Sequence, residues 1–148
     1  MSDASSKDIL VVEDNADDRE MTMRALRKAN MAHRVHIARD GAEAVAFIFG
    51  EDAHDARLKQ DGPKLILLDV KLPKIDGMEV LARVKGDPRT KMIPVVMLTS
   101  SKQPRDLEES YRLGANSYIV KPMNFDSFAS AVVELGMYWL LLNQPPVF

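Results

Sequence analysis

Five short apolar runs alternate along the chain with segments whose apolar residues recur at helical spacing. The runs are Ile9–Val12, Val35–Ala38, Leu65–Leu68, Val95–Leu98 and Ser117–Val120. Four of them are almost continuously apolar, which is typical of parallel strands that are covered on both faces. Because each run is followed by a helical segment, the pattern predicts an α/β fold: a doubly wound, parallel five-stranded (βα)5 sandwich.

The helical segments are marked by apolar residues three or four positions apart. They are Met21, Ala25 and Ala29 in the first helix, Val45, Ile48 and Phe49 in the second, and Met78, Leu81 and Ala82 in the third. A weakly patterned fourth helix covers about Arg105–Leu113 and ends at Gly114, and a fifth starts near Phe125 and reaches Leu142. The polar stretch Glu51–Lys64 predicts a surface loop.

Length and composition exclude several classes of function for the chain. A chain of 148 residues predicts one domain over 1–148, and its net charge of -2 argues against a nucleic-acid partner. The chain has no cysteine, which excludes disulfides and thiolate metal sites. No apolar run approaches the roughly 20 residues of a membrane helix, and the N-terminal residues show no apolar secretory segment. We therefore expect a cytoplasmic chain with no membrane partner.

Polar residues with reactive side chains follow the predicted strands. They are Glu13 and Asp14 after the first strand, Asp69 after the third, Thr99 and Ser100 at the end of the fourth, and Lys121 after the fifth. In a doubly wound sheet, ligands bind beyond the carboxyl ends of the strands. Taken singly, each residue is as readily explained as a helix-dipole partner, a turn or helix cap, or a solvated charge. Their occurrence at four strand ends favours one shared site.

The acidic residues indicate a divalent-cation site. Three neighbouring carboxylates repel one another, and a hard cation such as Mg²⁺ or Mn²⁺ would offset that repulsion. The Thr99 hydroxyl and the Lys121 ammonium suit the oxygens of a phosphoryl group. Together these groups predict phosphoryl transfer to a carboxylate nucleophile. Asp69 is the best nucleophile, while Glu13 and Asp14 are better placed as metal ligands, Glu13 through water.

The sequence resembles the receiver domain of bacterial two-component response regulators over essentially its whole length. The segments that carry the resemblance are Val11–Asn15, Ala38–Gly41, Leu67–Asp69, Leu72-Pro73, Asp76-Gly77, Pro94–Ser100, Gly114-Ala115 and Tyr118–Pro122. The resemblance implies the flavodoxin-like strand order 2-1-3-4-5. It also implies that Asp69 accepts a phosphoryl group from a phosphohistidine of a partner kinase, in a reaction that requires Mg²⁺ (or Mn²⁺).

The same resemblance implies roles for the remaining site residues. Glu13, Asp14 and the backbone carbonyl of Lys71 match the family's metal site, which Asp69 completes. Thr99 matches the residue that moves toward the phosphate, and Tyr118 the aromatic side chain that turns inward with it. Lys121 matches the phosphate-binding lysine, and the Lys121–Pro122 bond matches one that is usually cis in the family.

The fifth helix carries two neighbouring apolar stripes. One consists of Phe128, Val132, Leu135, Trp139 and Leu142, and the other of Ala129, Val133, Met137 and Leu141. One stripe is enough to cover a sheet, so the second predicts a subunit interface that includes Tyr138, Trp139 and Leu141. A two-fold homodimer is the commonest arrangement of that kind. The alternative is a broad core face on a long helix.

The C-terminal part of the sequence bears on how the chain would pass on its signal. No output domain follows the receiver before Phe148, so we expect signalling through protein contacts or onward phosphotransfer. The Glu51–Lys64 loop and the Tyr138-Trp139 tail resemble the small stand-alone receivers that pair with phytochrome-type histidine kinases of bacteria and cyanobacteria. We expect the chain to catalyse only its own phosphotransfer and autodephosphorylation.

Three other functions are compatible with parts of the pattern. A flavodoxin-like electron carrier would need a phosphate-binding loop after the first strand, where Glu13 and Asp14 would repel the phosphate. A small-molecule phosphatase with an aspartate nucleophile would need a second acid at the position of Lys71. A degenerate receiver that acts as a constitutive binding module would lack one of the site residues, and all of them are present.

Overall fold

The computed structural model describes residues 8–50, 63–121 and 124–139. Its strands are β1 (Ile9–Val12), β2 (Val35–Ala38), β3 (Leu65–Leu68), β4 (Val95–Thr99) and β5 (Ser117–Val120). Its helices are α1 (Ala16–Lys28), α2 (Gly41–Phe49), α3 (Gly77–Gly86), α4 (Pro104–Arg112) and α5 (Phe125–Met137). A short 3₁₀ turn, Ala32–Arg34, precedes β2.

The strands form one parallel sheet in the order β2-β1-β3-β4-β5, which confirms the predicted fold and strand order. Four strands have the predicted bounds, and β4 is one residue longer than predicted. The extra residue is Thr99, which pairs with Val120 and whose carbonyl oxygen accepts a 2.8 Å hydrogen bond from the Lys121 N–H. The sheet therefore continues one step further into the predicted site.

Each face of the sheet buries its own core layer, because successive side chains of a strand point to opposite faces. One layer contains Leu10, Ile66 and Met97, packed against α2 and α3. The other contains Val11 and Leu67 of the sheet and is completed by apolar residues of α1 and α5, including Leu26, Phe128 and Val132. Burial on both faces explains why the central strands are continuously apolar.

Side-chain caps fix the starts of three helices. Asn15 accepts the Asp18 N–H at 2.9 Å at the start of α1, and Asp40 accepts the Glu43 N–H at 2.8 Å at the start of α2. Asn124 accepts the Ser127 N–H at 2.8 Å at the start of α5. These caps satisfy N–H groups that have no partner inside the helix. Two of the capped helices start within four residues of a predicted site residue.

The fourth helix buries polar side chains and exposes apolar ones. Asp106 and Ser110 are the buried residues of α4, whereas its apolar Leu107 and Tyr111 are exposed. Gly114 follows the last turn with φ of 108°, a left-handed conformation that favours glycine, as its predicted position at the helix end requires. The sparse apolar pattern of this segment therefore reflects a real helix whose inner face is polar.

Several predictions fall outside the described residues. These are the Glu51–Lys64 loop up to residue 62, the Lys121–Pro122 bond, the end of the fifth helix at Leu142, and Leu141. In the described part of the chain, helix α5 ends at Met137 and is followed by Tyr138 and Trp139. None of the described helices combines the length and apolar character needed to cross a membrane.

Candidate phosphoryl-transfer site

The parallel register brings the carboxyl ends of the strands to one edge of the sheet. Val12 pairs with Leu68, which in turn pairs with Met97. Thr99 at the end of β4 pairs with Val120 on β5. The polar residues at and after these positions therefore lie beside one another, as a site beyond the strand ends requires.

Three carboxylates meet at this edge. One oxygen from each of Glu13, Asp14 and Asp69 lies within 4.8 Å of the others. Glu13 and Asp69 are 5% and 7% exposed, while Asp14 faces solvent. The donor set consists of carboxylate oxygens with one open side, which fits a hard divalent cation that keeps several water ligands. The structure thus brings together three of the four groups named from the sequence for the metal.

Lys121 provides the positive charge at this cluster. Its Nζ atom lies 2.5 Å from Glu13 Oε1, 2.7 Å from Asp18 Oδ2 and 3.2 Å from Asp69 Oδ2. The Lys121 side chain is 8% exposed, so these ion pairs are screened little by water. The contact with Asp18 was not expected from the sequence. The only feature of the sequence that points to this contact is that an acid in the first turn of α1 lies close to the end of β1.

The cluster shifts the pKa values of its members. Burial raises the pKa of Glu13 to about 7, the charge of Asp69 adds to the shift, and the Lys121 hydrogen bond opposes it. Burial alone would lower the pKa of Lys121, but its hydrogen bonds to Asp18 and Glu13 and the charge of Asp69 outweigh burial and raise that pKa. Lys121 is therefore a cation throughout the physiological range, whereas Glu13 exchanges a proton near neutrality.

The loop after β4 joins the hydroxyl groups of the site to α4. Thr99 Oγ1 accepts the Ser101 N–H at 3.2 Å, and the Tyr118 hydroxyl donates to the Ser101 carbonyl oxygen at 3.0 Å. The Ser101 hydroxyl donates to Asp106 at 2.5 Å. Thr99 is buried and Tyr118 is half-buried. Thr99 and Tyr118 were predicted from the sequence as site residues, but Ser101, which contacts both, was not.

The loop after β3 brings the start of α3 close to the backbone of Asp69. A Cβ atom added to Gly77 would lie 2.0 Å from the Asp69 carbonyl oxygen, so only glycine fits at the start of α3. The Gly77 N–H donates to the Val70 carbonyl oxygen at 3.0 Å. Lys71 lies in this loop, two residues after Asp69, and its side chain is exposed. The role of its backbone carbonyl stays a prediction.

Exposed apolar surface on α5 is concentrated at its end. Met137 and Tyr138 are 45% and 48% exposed. Trp139 is half-buried, packs on the α1–α5 core layer, and meets the Tyr138 ring edge-on at 5.0 Å between ring centroids. Ala129 and Val133 of the second stripe also pack on that layer. Ala129 and Val133 of the second stripe are therefore core, and in the described part of α5 the free apolar surface is smaller than the sequence pattern suggested.

Comparison with known proteins yields a family match. The family described as the response regulator receiver domain matches residues 9–133. Response regulator Rcp1 of Synechocystis sp. is 39% identical over 142 residues, which covers 95% of each chain.

Solved structures give the same result. The phosphorylated cyanobacterial phytochrome response regulator RcpA is 39% identical, with a TM-score of 0.84 over 96% of this chain and 99% of that one. The Mn(2+)-bound form of Rcp1 is 37% identical, with a TM-score of 0.81 over 94% of this chain and 98% of that one. The bacteriophytochrome response regulator RtBRR is 45% identical, with a TM-score of 0.72 over 95% of this chain and 84% of that one.

Proposed function

The chain belongs to the response regulator receiver domain family, and on that premise we propose that it accepts a phosphoryl group from a histidine kinase on Asp69. The observation that carries the proposal is the position of Asp69. This carboxylate lies at the end of the central strand, beside two further acids and 3.2 Å from the Lys121 ammonium. It is almost fully buried, yet it belongs to a cluster that opens to solvent at Asp14.

In the proposed reaction, an Asp69 oxygen attacks the phosphorus atom of the donor phosphohistidine. The P–O bond forms as the P–N bond breaks, and the histidine nitrogen keeps the electron pair. Lys121 places its positive charge against the phosphoryl oxygens. Thr99 Oγ1 accepts the Ser101 N–H, and within the described residues its own proton is not donated to any acceptor. That proton is therefore available to a phosphoryl oxygen, which positions the group and stabilises its charge.

A divalent cation, Mg²⁺ or Mn²⁺, is part of the proposal. Glu13, Asp14, Asp69 and the backbone carbonyl of Lys71 would hold it. When bound, it would neutralise carboxylate charge and polarise the phosphoryl oxygens. Support comes from the oxygen-only donor set and from Rcp1, a relative whose structure is described as Mn(2+)-bound. The chain's own catalysis is limited to this transfer and to hydrolysis of its own aspartyl-phosphate.

The relatives guide the choice of partner. RcpA and RtBRR are described as phytochrome response regulators. We propose that the donor kinase of this chain is also of the phytochrome type and that the chain acts in the cytoplasm without binding nucleic acid. Phosphotransfer at equal rates from unrelated kinases would remove the phytochrome assignment.

We propose that the receiver domain, predicted over 1–148, passes its signal on through protein contacts. The exposed Tyr138 and the adjacent Trp139, with Leu141 outside the described residues, are proposed to join two copies of the chain. The alternative of a constitutive binding module is less well supported, since every group that phosphoryl transfer needs is present. Whether phosphorylation strengthens the dimer is measured in the same experiment as the chemistry.

The experiment is intact mass spectrometry after incubation with acetyl phosphate and Mg²⁺, with size-exclusion elution of each sample. The expected result is one phosphoryl adduct, which disappears in Asp69→Asn and in the presence of a chelator. An adduct on Asp69→Asn would overturn the assignment of the acceptor. No adduct on the folded wild-type chain would favour the binding module.

A further inference from the structure

Lys121 is held by three carboxylates, and one of them lies outside the acids that could bind a metal. Asp18 Oδ2 is 2.7 Å from the Lys121 ammonium, closer than Asp69 at 3.2 Å. Among the residues that the structure describes, the acids that lie close enough to share a cation are Glu13, Asp14 and Asp69. Asp18 therefore contacts the lysine of the site without belonging to the metal-binding group.

We propose that Asp18 is a positioning residue that holds Lys121 beside Asp69 and remains its anionic partner when a divalent cation takes Glu13 and Asp69. The inference rests on the metal-dependent phosphotransfer proposed above. It assigns to Asp18 a function in metal binding that is exerted through Lys121 and not through a bond to the metal.

The argument starts from a conflict between two cations. Glu13 and Asp69 are contacted by Lys121, and the same two side chains supply oxygens to the candidate metal site. Both carboxylates are nearly buried, so each has few positions from which to bind two cations. Lys121 must loosen its hold on them before a metal is bound. A buried ammonium that loses its partners is costly, so a third carboxylate that stays with it lowers the cost of the exchange.

Among the described residues, no other cation pairs with the carboxylates that Lys121 contacts. Arg19 is the nearest basic residue in α1, and its guanidinium donates to the backbone carbonyl oxygens of Glu13 and Asp14 at 3.1 and 2.9 Å. Within the described residues, Lys121 is the only cation that forms an ion pair with Glu13, Asp18 or Asp69. The charge balance of the cluster therefore depends on where Lys121 lies.

The simpler explanation for Asp18 is an acid that complements the α1 dipole. Asp17, one residue earlier in the same first turn, is exposed and serves that purpose equally well. The backbone contacts of Asp18 do not involve its carboxylate, because its N–H is bonded to Asn15 and its carbonyl oxygen to Thr22. Asp18→Asn therefore leaves the helix start intact, and Asp17→Asn is a matched control for loss of one charge.

The test is a Mn²⁺ titration of the unphosphorylated protein. Asp18→Asn and Asp17→Asn are each made in the wild-type and in the Lys121→Met background. In the wild-type background, we expect Asp18→Asn to weaken Mn²⁺ binding about 3- to 10-fold more than Asp17→Asn, a coupling typical of contacting residues. In the Lys121→Met background, where no ammonium competes for Glu13 and Asp69, the two substitutions are expected to have the same effect. Lys121→Met alone is expected to bind Mn²⁺ more tightly than the wild type.

The outcomes separate this inference from the proposed function. If Asp18→Asn matches Asp17→Asn in the wild-type background, or weakens binding equally in both backgrounds, then Asp18 acts by its charge alone and the inference is wrong. If the wild-type chain binds no Mn²⁺ at all, the metal-dependent mechanism fails and the inference fails with it. Denaturant unfolding in the presence of chelator shows whether each protein is folded. It is measured for the wild type, for Lys121→Met, and for Asp17→Asn and Asp18→Asn in both backgrounds.

Discussion

The hydroxyl of Tyr118 donates a hydrogen bond of 3.0 Å to the backbone carbonyl oxygen of Ser101. The bond joins β5, an edge strand of the sheet, to the loop that follows β4. Ser101 in turn donates its hydroxyl to Asp106 of α4 and its N–H to the buried Thr99. A displacement of Thr99 toward Asp69 would therefore change the contacts of both Tyr118 and α4.

Ser101→Ala is expected to lower the free energy of unfolding by about 1–3 kcal/mol, because the buried Asp106 carboxylate loses its hydroxyl donor. The neighbouring Ser100 is exposed, so Ser100→Ala is expected to stay within about 0.5 kcal/mol of the wild type. Urea unfolding with unchanged m-values measures both. Equal effects of the two substitutions would show that the Ser101–Asp106 bond does not stabilise the fold.

Tyr118→Phe removes one hydroxyl and is expected to cost about 0.5–1.5 kcal/mol, the value of a hydrogen bond to the Ser101 carbonyl. Tyr111, half of whose surface is exposed on α4, provides the matched control Tyr111→Phe. Thermal or denaturant unfolding compares the two. A Tyr118→Phe protein as stable as the control would contradict a structural contribution from this bond.

Gly77→Ala is expected to destabilise the fold by about 1–3 kcal/mol or more, because the new Cβ would overlap the Asp69 carbonyl oxygen. The same shift of the β3–α3 loop should weaken Mn²⁺ binding. Gly86 at the end of α3 has no neighbouring atom within 4 Å of an added Cβ, so Gly86→Ala is expected to be neutral or slightly stabilising. A tolerated Gly77→Ala with normal metal affinity would show that the loop relaxes freely.

Glu13 should give the metal-free protein a pH-dependent stability. Its folded-state pKa is raised by burial from 4.5 to about 7, so the folded chain binds more protons than the unfolded chain within that interval. The free energy of unfolding is therefore expected to fall as the pH rises from 4.5 to about 7. Glu13→Gln should flatten that slope in unfolding measured with chelator present. The exposed Glu79 provides the control, since Glu79→Gln should leave the slope unchanged.

Lys85 should make the protein more stable as the pH rises through the alkaline range, the opposite of the trend expected from Glu13. Burial lowers its folded-state pKa from 10.5 to about 8, and its ammonium donates to the Lys91 and Ile93 carbonyl oxygens and to Asn116 Oδ1. The folded chain binds fewer protons than the unfolded chain across this interval, so stability is expected to rise from about pH 8 to 10.5. Lys85→Met should abolish the rise, and Lys91→Met, an exposed control, should keep it.

The strands could be predicted from sequence because burial on both faces leaves an unbroken apolar run, as in Leu65–Leu68. Residues at the strand ends could also be predicted, since parallel register brings Glu13, Asp69 and Lys121 together whatever their separation in sequence. Their chemistry follows from residue type and position on the sheet.

The contacts made by individual side chains could not be predicted in the same way. Asp18 and Lys121 are 103 positions apart, and nothing in the sequence specifies which acid of the first turn of α1 turns toward the site. Ser101, in the loop before α4, donates to Asp106 on the buried face of α4, a polar contact about which apolar periodicity carries no information. Hydrophobic patterning determines which faces are buried, whereas rotamers and loop geometry determine which polar atoms meet.

The polar inner face of α4 has a consequence for the way the fold opens. An apolar helix face is held by dispersion and burial over its whole length, but α4 is attached through Asp106 and Ser110, and Ser110 Oγ meets Met78 Sδ at 3.6 Å. Local unfolding of such a helix requires few buried apolar contacts to break, so its backbone amides should exchange with deuterium faster than those of α1 or α5. A small change at the strand ends is therefore expected to displace α4 more easily than α1 or α5.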